Sequence, residues 1–476
     1  MGRTDASGAL IQAGSASQKT SLSQVALEAA LDRSGTSPKS GFQDLPVELV
    51  QAISRQVASG SAGDAAAGLH AIMLSNKYLK ASVLAETSVK EHYLFLQPLI
   101  GAFKALKPQL AIHEINSQML ALMGPKQRQE QVTAVLGLAD GGGKAEAIAG
   151  LCAGLAALER SQQEALVTAV LGLADGADKA EAIAGLGAGL ASLERSQQEA
   201  LVTAALDLAR ERDKARALAG LGAGLASLER SQQEALVTAA LDLANEGDKA
   251  RALAGLGAGL ASLERSQRQE LVTAALRLNM WDKAEAIAGL GAGLAHLSES
   301  QREDLVTAAL GLAEDWDKAR AIAGLGPGLA HLSESQREEL VTAVLGLTIG
   351  FLKAEAIAGL GAGLAHLSKS QKKALVTAAL GLADKARVIA GLGAGLAALE
   401  QPQQQALVTA ALGLADDWER GKVIAGLGAG LAALDGTQQQ ALVKAALGLA
   451  DGWHKARAIA GLANGYQASR VRDYLR

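Results

Sequence analysis

The chain offers few residues whose type and spacing could support chemistry, and histidines are the first of them. His296, His331 and His366 follow one another at intervals of 35 residues. If each belongs to a separate structural unit, neighbouring units lie about 8–10 Å apart, whereas a zinc–nitrogen bond measures about 2.0–2.1 Å. Histidines on successive units are then too far apart to share one ion, so the spacing predicts a surface ladder and no metal site.

A basic residue at a recurring position is the second candidate, and three interpretations of it stay open. It could pair with the acid that precedes it at seven of the ten positions, contact phosphates, or bind a protein partner. Acidic residues outnumber basic ones by 39 to 32 over residues 126–460, which weakens the phosphate interpretation because nucleic-acid binding relies on net positive charge. The residues are Lys144, Lys179, Lys214, Lys249, Lys283, Lys318, Lys353, Lys385, Arg420 and Lys455.

Large aromatic residues form the third pattern. Between Lys126 and Leu462 there are five of them, each two residues before one of those basic residues, at a position expected in a loop between two helices. Loops often carry the binding surface of repeat proteins, and large aromatics are enriched in binding hot spots. The sequence therefore predicts a partner-binding ridge, with the alternative that each ring covers the end of its own hairpin. The five are Trp281, Trp316, Phe351, Trp418 and Trp453.

The histidines, the basic residues and the aromatic residues all belong to an internal sequence repeat. A Val-Thr pair (once Val-Lys) recurs every 35 residues, with one step of 34 and one of 32, and a fixed period of this size is typical of a solenoid. The sequence predicts an all-α protein, a right-handed α-solenoid of about ten 35-residue helical hairpins that form a curved rod of roughly 100 Å. The pairs begin at Val132, Val167, Val202, Val237, Val272, Val306, Val341, Val376, Val408 and Val443.

Within each hairpin the two helices have different signals. Ser161 and Glu164 predict a capping box at the start of the first helix. The second helix, predicted from Lys179 to Leu193, contains interior glycines that each cost roughly 1 kcal/mol of helix propensity. Only tight packing on both sides could offset that cost, so we expect residues such as Gly187 to lie between neighbouring helices.

Composition excludes several classes of function. The chain has 476 residues, of which 54 are glycine and 3 % aromatic, and its formal net charge is −4. A single cysteine, Cys152, rules out a disulfide framework and a multi-thiolate metal site. No apolar run approaches the roughly 18 residues that a membrane span needs. No catalytic arrangement can be proposed from spacing, so we predict a non-enzymatic protein without cofactors.

The segments outside the repeats divide the rest of the chain. Residues 1–40 are rich in small polar residues, which predicts a disordered leader and a candidate secretion signal. Residues 41–85 and 86–125 are expected to form short helices and a linking N-terminal cap, followed by the repeats at 126–462. Residues 463–476, with Tyr466, break the pattern and suit a polar C-terminal cap.

A short motif stands at the start of the helical part of the chain. Leu-Pro-x-Glu-Leu opens at Leu45 with an isoleucine four residues after it, and an apolar-Ser-x-basic-aromatic stretch closes at Tyr78. This resembles an F-box, with an inserted run of small residues within Ser59–Gly68. Alternatively, the motif begins a helix that caps the solenoid. The residues that the resemblance implies for adaptor binding are Leu45, Pro46, Glu48, Leu49, Ile53, Leu74 and Tyr78.

The resemblance has implications for function and location. A serine-rich leader, an F-box and an Ala/Leu/Gly-rich solenoid together resemble type III effectors of plant-pathogenic bacteria. This implies a monomer, secreted into the host cytoplasm or nucleus, that docks on the adaptor subunit of a host cullin-type ubiquitin ligase and holds a host protein substrate. Two alternatives remain: a helical-repeat nucleic-acid-binding protein, since Gly142-Gly143-Lys144 is similar to a turn of transcription-activator-like effectors, or a plain protein-interaction scaffold.

Overall fold

The computed structural model describes residues 47–58, 62–75, 87–107, 110–139, 141–152 and 154–474. Within these residues the chain has 24 α-helices and no strand, which confirms the predicted all-α solenoid. None of the helices in this described part is long and apolar enough to cross a membrane. The expected leader at residues 1–40 lies outside the described residues.

Four helices precede ten hairpins. The four are α1 (Val47–Ala58), α2 (Ala62–Ser75), α3 (Thr87–Leu106) and α4 (Ser117–Leu120), with a 3-10 helix at Ile112–Glu114. The hairpins, each a first and a second helix, are α5 (Pro125–Leu136) and α6 (Gly142–Cys152), α7 (Arg160–Gly172) and α8 (Ala177–Leu186), α9 (Arg195–Leu206) and α10 (Glu211–Leu221), α11 (Arg230–Asp242) and α12 (Glu246–Leu256), α13 (Arg265–Arg277) and α14 (Met280–Leu290), α15 (Glu299–Leu310) and α16 (Asp315–Leu325), α17 (Glu334–Gly346) and α18 (Gly350–Leu360), α19 (Lys369–Gly381) and α20 (Lys385–Leu392), α21 (Gln401–Leu412) and α22 (Asp417–Gly428), and α23 (Gly436–Gly448) and α24 (Gly452–Tyr474).

The first helices begin earlier than the sequence predicts. The N-cap of α7 is Glu159, whose backbone is extended, and its amide donates to the side chain of Gln162 at 3.0 Å. The predicted capping box of Ser161 with Glu164 is therefore wrong. The helix starts two residues earlier, and Gln162 takes the role that was predicted for Glu164. Later repeats place a serine at the same N-cap, as at Ser298.

In the first nine hairpins the second α-helix is followed by a 3-10 helix, whereas α24 continues as an α-helix to Tyr474. α8 stops at Leu186, and the chain continues as a 3-10 helix, so the predicted continuous α-helix to Leu193 is wrong. Glycine has low helix propensity, and the two glycines after Leu186 fall in the tighter helix. The predicted apolar stripe Ile183, Leu186, Leu190 and Leu193 is nevertheless buried. The 3-10 segments are Leu155–Ala157, Gly187–Ser192, Gly222–Ser227, Gly257–Ser262, Gly291–His296, Gly326–His331, Gly361–His366, Gly393–Ala398 and Leu431–Ala433.

Glycines let neighbouring second helices touch through their backbones. A Cβ on Gly187 would overlap the carbonyl oxygen of Gly220 in the next repeat. On the other side, a Cβ on Gly185 would lie 2.6 Å from the Cβ of Ala149, and one on Gly189 would lie 2.7 Å from the oxygen of Cys152. Both flanks of the second helix are thus filled by neighbours, as its glycine content predicts.

This contact curves the array. Close backbone approach is far more extensive between successive second helices, such as α8 and α10, than between successive first helices, such as α7 and α9, so the first helices are spaced more widely. An array whose two layers have unequal spacing bends towards the more closely spaced layer. The second helices therefore lie on the concave side.

The curvature brings the two ends of the chain together. The side chain of Asn464 in α24 donates to the carbonyl of Gln118 in α4 at 2.9 Å. The ring of Tyr466, which is only 5 % exposed, stacks on Phe95 in α3 with centroids 3.8 Å apart. The predicted open rod is thus a closed ring, and Tyr466 belongs to a buried seam where the sequence predicted a polar cap.

The helices in the F-box-like segment contribute to the same closure. Arg128 of α5 donates two hydrogen bonds to Asp64 of α2, at 2.8 and 3.2 Å. The amide of Gln467 donates to the carbonyl of Ala58 at 2.8 Å. α1 and α2 therefore join the first and last repeats, which is what the capping alternative for this motif predicts.

We predict that one methyl group at the glycine contact destabilises the array. Gly187→Ala should lower the free energy of unfolding by roughly 1–3 kcal/mol, the usual cost of overpacking, because its Cβ has no space. The matched control is Gly172→Ala, which replaces a glycine at a helix end in open space and should leave stability unchanged or slightly raised. Denaturant unfolding followed by circular dichroism measures both, and equal midpoints for the two variants would show that the second helices are not in backbone contact.

Candidate binding surface

The predicted aromatic residues lie in helices and not in loops. Each is the second residue of a second helix, so the helix begins just before the ring; Trp281, for example, follows the N-cap Asn279 by two residues. Trp281, Trp316, Phe351 and Trp418 are 52, 42, 45 and 51 % exposed, whereas Trp453 is half-buried. Four of the five thus present their rings to solvent.

Three of the rings touch one another across repeats. Trp281 and Trp316 stack with centroids 6.2 Å apart and planes inclined by 11°, and Phe351 meets Trp316 edge-on at 5.6 Å. We call these three residues the aromatic ladder. Exposed Met280 and Ile349 widen its apolar surface. The second helix of the following repeat begins at Lys385 and has no aromatic residue at the equivalent position. This repeat therefore stands between the ladder and the repeats of Trp418 and Trp453.

The ladder lies along the edge of the concave surface at which the second helices begin. Trp281, Glu285, Ala288 and Ala292 are spaced along one face of a helix, and all four are partly or fully exposed. The flanks of this helix contact its neighbours through glycines, and its leucines pack on the first-helix layer. The remaining face, which carries the aromatic ring, therefore points to the concave side.

From Glu285 to Arg387, the residue at one position of this face alternates in charge from one repeat to the next. Glu285 pairs with Arg320 at 3.3 Å and Glu355 with Arg387 at 2.9 Å. These pairs are largely or partly exposed, so each contributes little to stability. The charges of these four residues cancel in the repeats that carry the ladder and in the repeat that follows it.

Cations already occupy three aromatic faces. Arg320 lies over Trp281 at 5.9 Å from the ring centroid, and Lys422 lies over Trp418 at 5.4 Å. Arg457 lies over Trp453 at 5.5 Å. The aromatic pattern alone does not predict these cation partners, but Lys422 and Arg457 stand four positions after Trp418 and Trp453, a spacing at which two side chains on a helix face each other.

Acidic residues surround the exposed tryptophans. Burial raises the pKa of Asp282, and the charge of Glu246 raises it further. Burial and the charge of Glu314 likewise raise the pKa of Asp317, against the opposite effect of Arg320. Both carboxyls are adjacent in sequence to a ladder tryptophan, so the second-helix N-termini at the ladder have a negative environment.

Other acids fix the spacing of the second-helix N-termini. Glu246 accepts a hydrogen bond from the backbone amide of Asn279 in the next repeat at 3.0 Å, and Asp417 accepts one from Ala450 at 2.9 Å. These bonds join the start of one second helix to the loop before the next. They fix the start of one second helix relative to the repeat that follows it.

Two of the basic residues at the second-helix starts form ion pairs, but not with the acid that directly precedes them. Lys179 pairs with Asp175 at 3.0 Å and not with the preceding acid, Asp178. Arg420 pairs with Asp417 at 3.3 Å and not with Glu419. Consecutive residues on a helix point in different directions, whereas residues three or four apart face each other. Local pairing thus holds for these two, with different partners.

The remaining candidates are not brought together. His296, His331 and His366 are exposed, each at the end of a 3-10 helix, as a surface ladder predicts. Burial raises the pKa of the Cys152 thiol. Across the residues that the structure describes, no group of three or more His, Cys, Asp or Glu could hold a metal ion.

Four of the seven predicted adaptor-binding residues belong to α1 and α2, and the other three lie outside the described residues. Leu45, Pro46 and Tyr78 lie outside the described residues. The four in α1 and α2 are Glu48, Leu49, Ile53 and Leu74.

The solved structures similar to this chain share little sequence identity with it. No protein-family model and no curated protein matches the chain. The karyopherin Kap121p, in a crystal structure bound to the SUMO protease Ulp1p, is 11 % identical with a TM-score of 0.38, over 96 % of this chain and 56 % of that one. A homology model of the full-length AP-3 complex in an intermediate open conformation is 11 % identical with a TM-score of 0.18, over 89 % and 88 %. Such scores support no argument about function.

Proposed function

We propose that the chain is a non-enzymatic protein-binding scaffold whose closed ring of helices binds a partner through the aromatic ladder together with Trp418. The observation that carries this proposal is the exposure of four large aromatic rings at one structural position, three of them in mutual contact. Rings of this size at a surface are the residues most enriched in binding hot spots. A contiguous apolar strip without a partner would also promote aggregation.

The charges around the ladder favour a protein over a nucleic acid. A nucleic-acid groove combines aromatic stacking with a positive channel along the phosphates. Here the residues beside the tryptophans are acidic, and the repeats carry more acidic than basic residues. The basic residues at the second-helix starts are interleaved with these acids, as Lys318 follows Asp317.

The experiment compares wild type with Trp316→Ala/Trp418→Ala for capture of proteins from an extract. We expect the double variant to lose the captured proteins while keeping its helicity and melting temperature, because both rings are largely exposed. Trp316→Phe/Trp418→Phe is the matched control and should retain most of the capture. If the folded alanine variant captures the same proteins as wild type, the rings are structural and the proposal is wrong.

A finer proposal concerns ubiquitin ligation. We propose, from the F-box resemblance alone, that α1 and the residues before it dock on a host ligase adaptor after secretion into the host cytoplasm or nucleus, so that the ladder's partner becomes the substrate. The helix begins at Val47, directly after the Leu-Pro of the motif. Binding of purified adaptor to the full chain, lost in Leu49→Ala/Ile53→Ala without a change in melting, supports this; absence of binding by folded wild type overturns it.

A further inference from the structure

We propose that Lys422 and Arg457 form an anion site on the concave surface that binds a carboxylate group of a partner. The inference rests on the proposed protein-binding function and names the chemistry of one group on that partner. Three observations lead to it: equivalent positions in other repeats form ion pairs, these two cations have no acid, and both are held against tryptophan rings.

The first observation is the ion pair that this position forms in other repeats. In three pairs of neighbouring repeats, a glutamate here meets an arginine of the next repeat, with nitrogen and oxygen 2.9 to 3.3 Å apart. The spacing of the second helices therefore lets a carboxylate and a guanidinium touch at this position. The pairs are Glu181 with Arg216, Glu285 with Arg320, and Glu355 with Arg387.

The second helices of the last two repeats, α22 and α24, are also in close contact. A Cβ on Gly421 would lie 3.1 Å from the Cβ of His454, and one on Gly461 would lie 2.5 Å from the Cα of Ala425. The two helices thus touch both before and after the two cations. The cations therefore occupy the places that a glutamate and an arginine occupy in the other pairs of repeats.

The second observation is that these two cations lack an acid. Neither Lys422 nor Arg457 forms an ion pair with any residue that the structure describes. Two arginines also adjoin at this position earlier in the array, but there each has an acid. They are Arg216, which pairs with Glu181 at 3.3 Å, and Arg251, which pairs with Asp248 at 3.6 Å.

The acids at the start of α22 have other partners or remain apart from the cations. Asp417 pairs with Arg420 at 3.3 Å. Asp416 accepts a hydrogen bond from the backbone amide of Glu419 at 2.9 Å. Glu419 forms no ion pair with the cation three residues after it, and the last repeat has His454 at the equivalent position. Two adjacent positive charges attract an anion, and the described part of the chain does not supply it.

The third observation is that both cations are positioned and accessible. Lys422 lies 5.4 Å from the ring centroid of Trp418. Arg457 lies 5.5 Å from that of Trp453. Such contacts are attractive and restrict long, flexible side chains, which lowers the entropy that is lost when a ligand binds. Both cations are partly exposed, so a ligand can reach them.

The equivalent pairs also indicate the chemistry of the ligand. In them the partner of the arginine is a glutamate. A guanidinium donates two parallel hydrogen bonds to a carboxylate, and Lys422 adds a second positive charge. The ligand group is therefore a carboxylate, supplied by an acidic side chain or by the C-terminus of a partner chain.

Calorimetric titration of the full chain with short peptides tests the site. The probe is a peptide with two adjacent glutamates between leucines, blocked at both ends. A second blocked peptide has glutamines in their place, and a third is the glutamine peptide with a free C-terminal carboxylate. We expect the glutamate peptide to bind about tenfold more tightly than the blocked glutamine peptide, with an affinity that falls as salt is added. Tighter binding of the third peptide than of the first would assign the carboxylate to a chain end.

Charge substitutions locate the site and test its geometry. Lys422→Glu should abolish binding of the glutamate peptide, because its own carboxylate then pairs with Arg457 as in the other repeats. It should also melt at a higher temperature than Lys422→Gln, which loses the same contact with Trp418 and adds no charge. The matched control for binding is Lys373→Glu, the same substitution at an exposed residue of α19 in the first-helix layer; it should leave binding unchanged.

Three outcomes overturn the inference without touching the proposed function. One is that the glutamate peptide binds folded wild type no more tightly than the blocked glutamine peptide, or not at all, while the free carboxylate peptide does no better. Another is that Lys422→Glu binds the glutamate peptide as wild type does. The third is that inorganic phosphate binds more tightly than either carboxylate peptide. The capture experiment with the ring variants still decides whether the surface binds protein.

Discussion

The backbone contact between neighbouring second helices is the constraint on which the rest of the structure depends. Gly185, Gly187 and Gly189 leave no room for a Cβ, so these helices approach one another more closely than the first helices behind them. Each glycine costs helix propensity, and the helix tightens into a 3-10 turn where two of them follow each other. Close packing between neighbouring second helices along the ten repeats offsets this loss of helix propensity.

The same contact sets the geometry of the binding surface. Rings on successive repeats come within 6.2 Å of each other because the helices that carry them are closely spaced. Carboxylates at the second-helix starts, such as Glu246, accept hydrogen bonds from the backbone of the next repeat and fix its position. Curvature and ring spacing are therefore two results of one packing rule, and closure at Tyr466 and Phe95 follows from the accumulated curvature.

The sequence predicts most of what repeats and little of what occurs once. The period, the buried stripe and the position of the glycines follow from residue type, since each is confirmed by ten similar copies. Closure could not be predicted because it depends on a small angle summed over all repeats, and no residue encodes that sum. The helix starts were misplaced because Ser161 is of a preferred N-cap type and Glu159 is not, whereas the start of α7 is set by Gln162, whose side chain accepts a hydrogen bond from the backbone amide of Glu159. The ladder was predicted as residues, but its ring contacts needed the spacing of the helices.

Closure of the ring is tested most directly by a distance across the seam. Spin labels at Gln97→Cys in α3 and Lys444→Cys in α23 occupy exposed sites on two helices that contact each other, while the buried native Cys152 stays unlabelled. With helix diameters of about 10–12 Å, the labels of the full chain should lie within about 35 Å. An open rod of ten hairpins would place them about 80–100 Å apart, and a dipolar measurement without a short distance would contradict the closed ring.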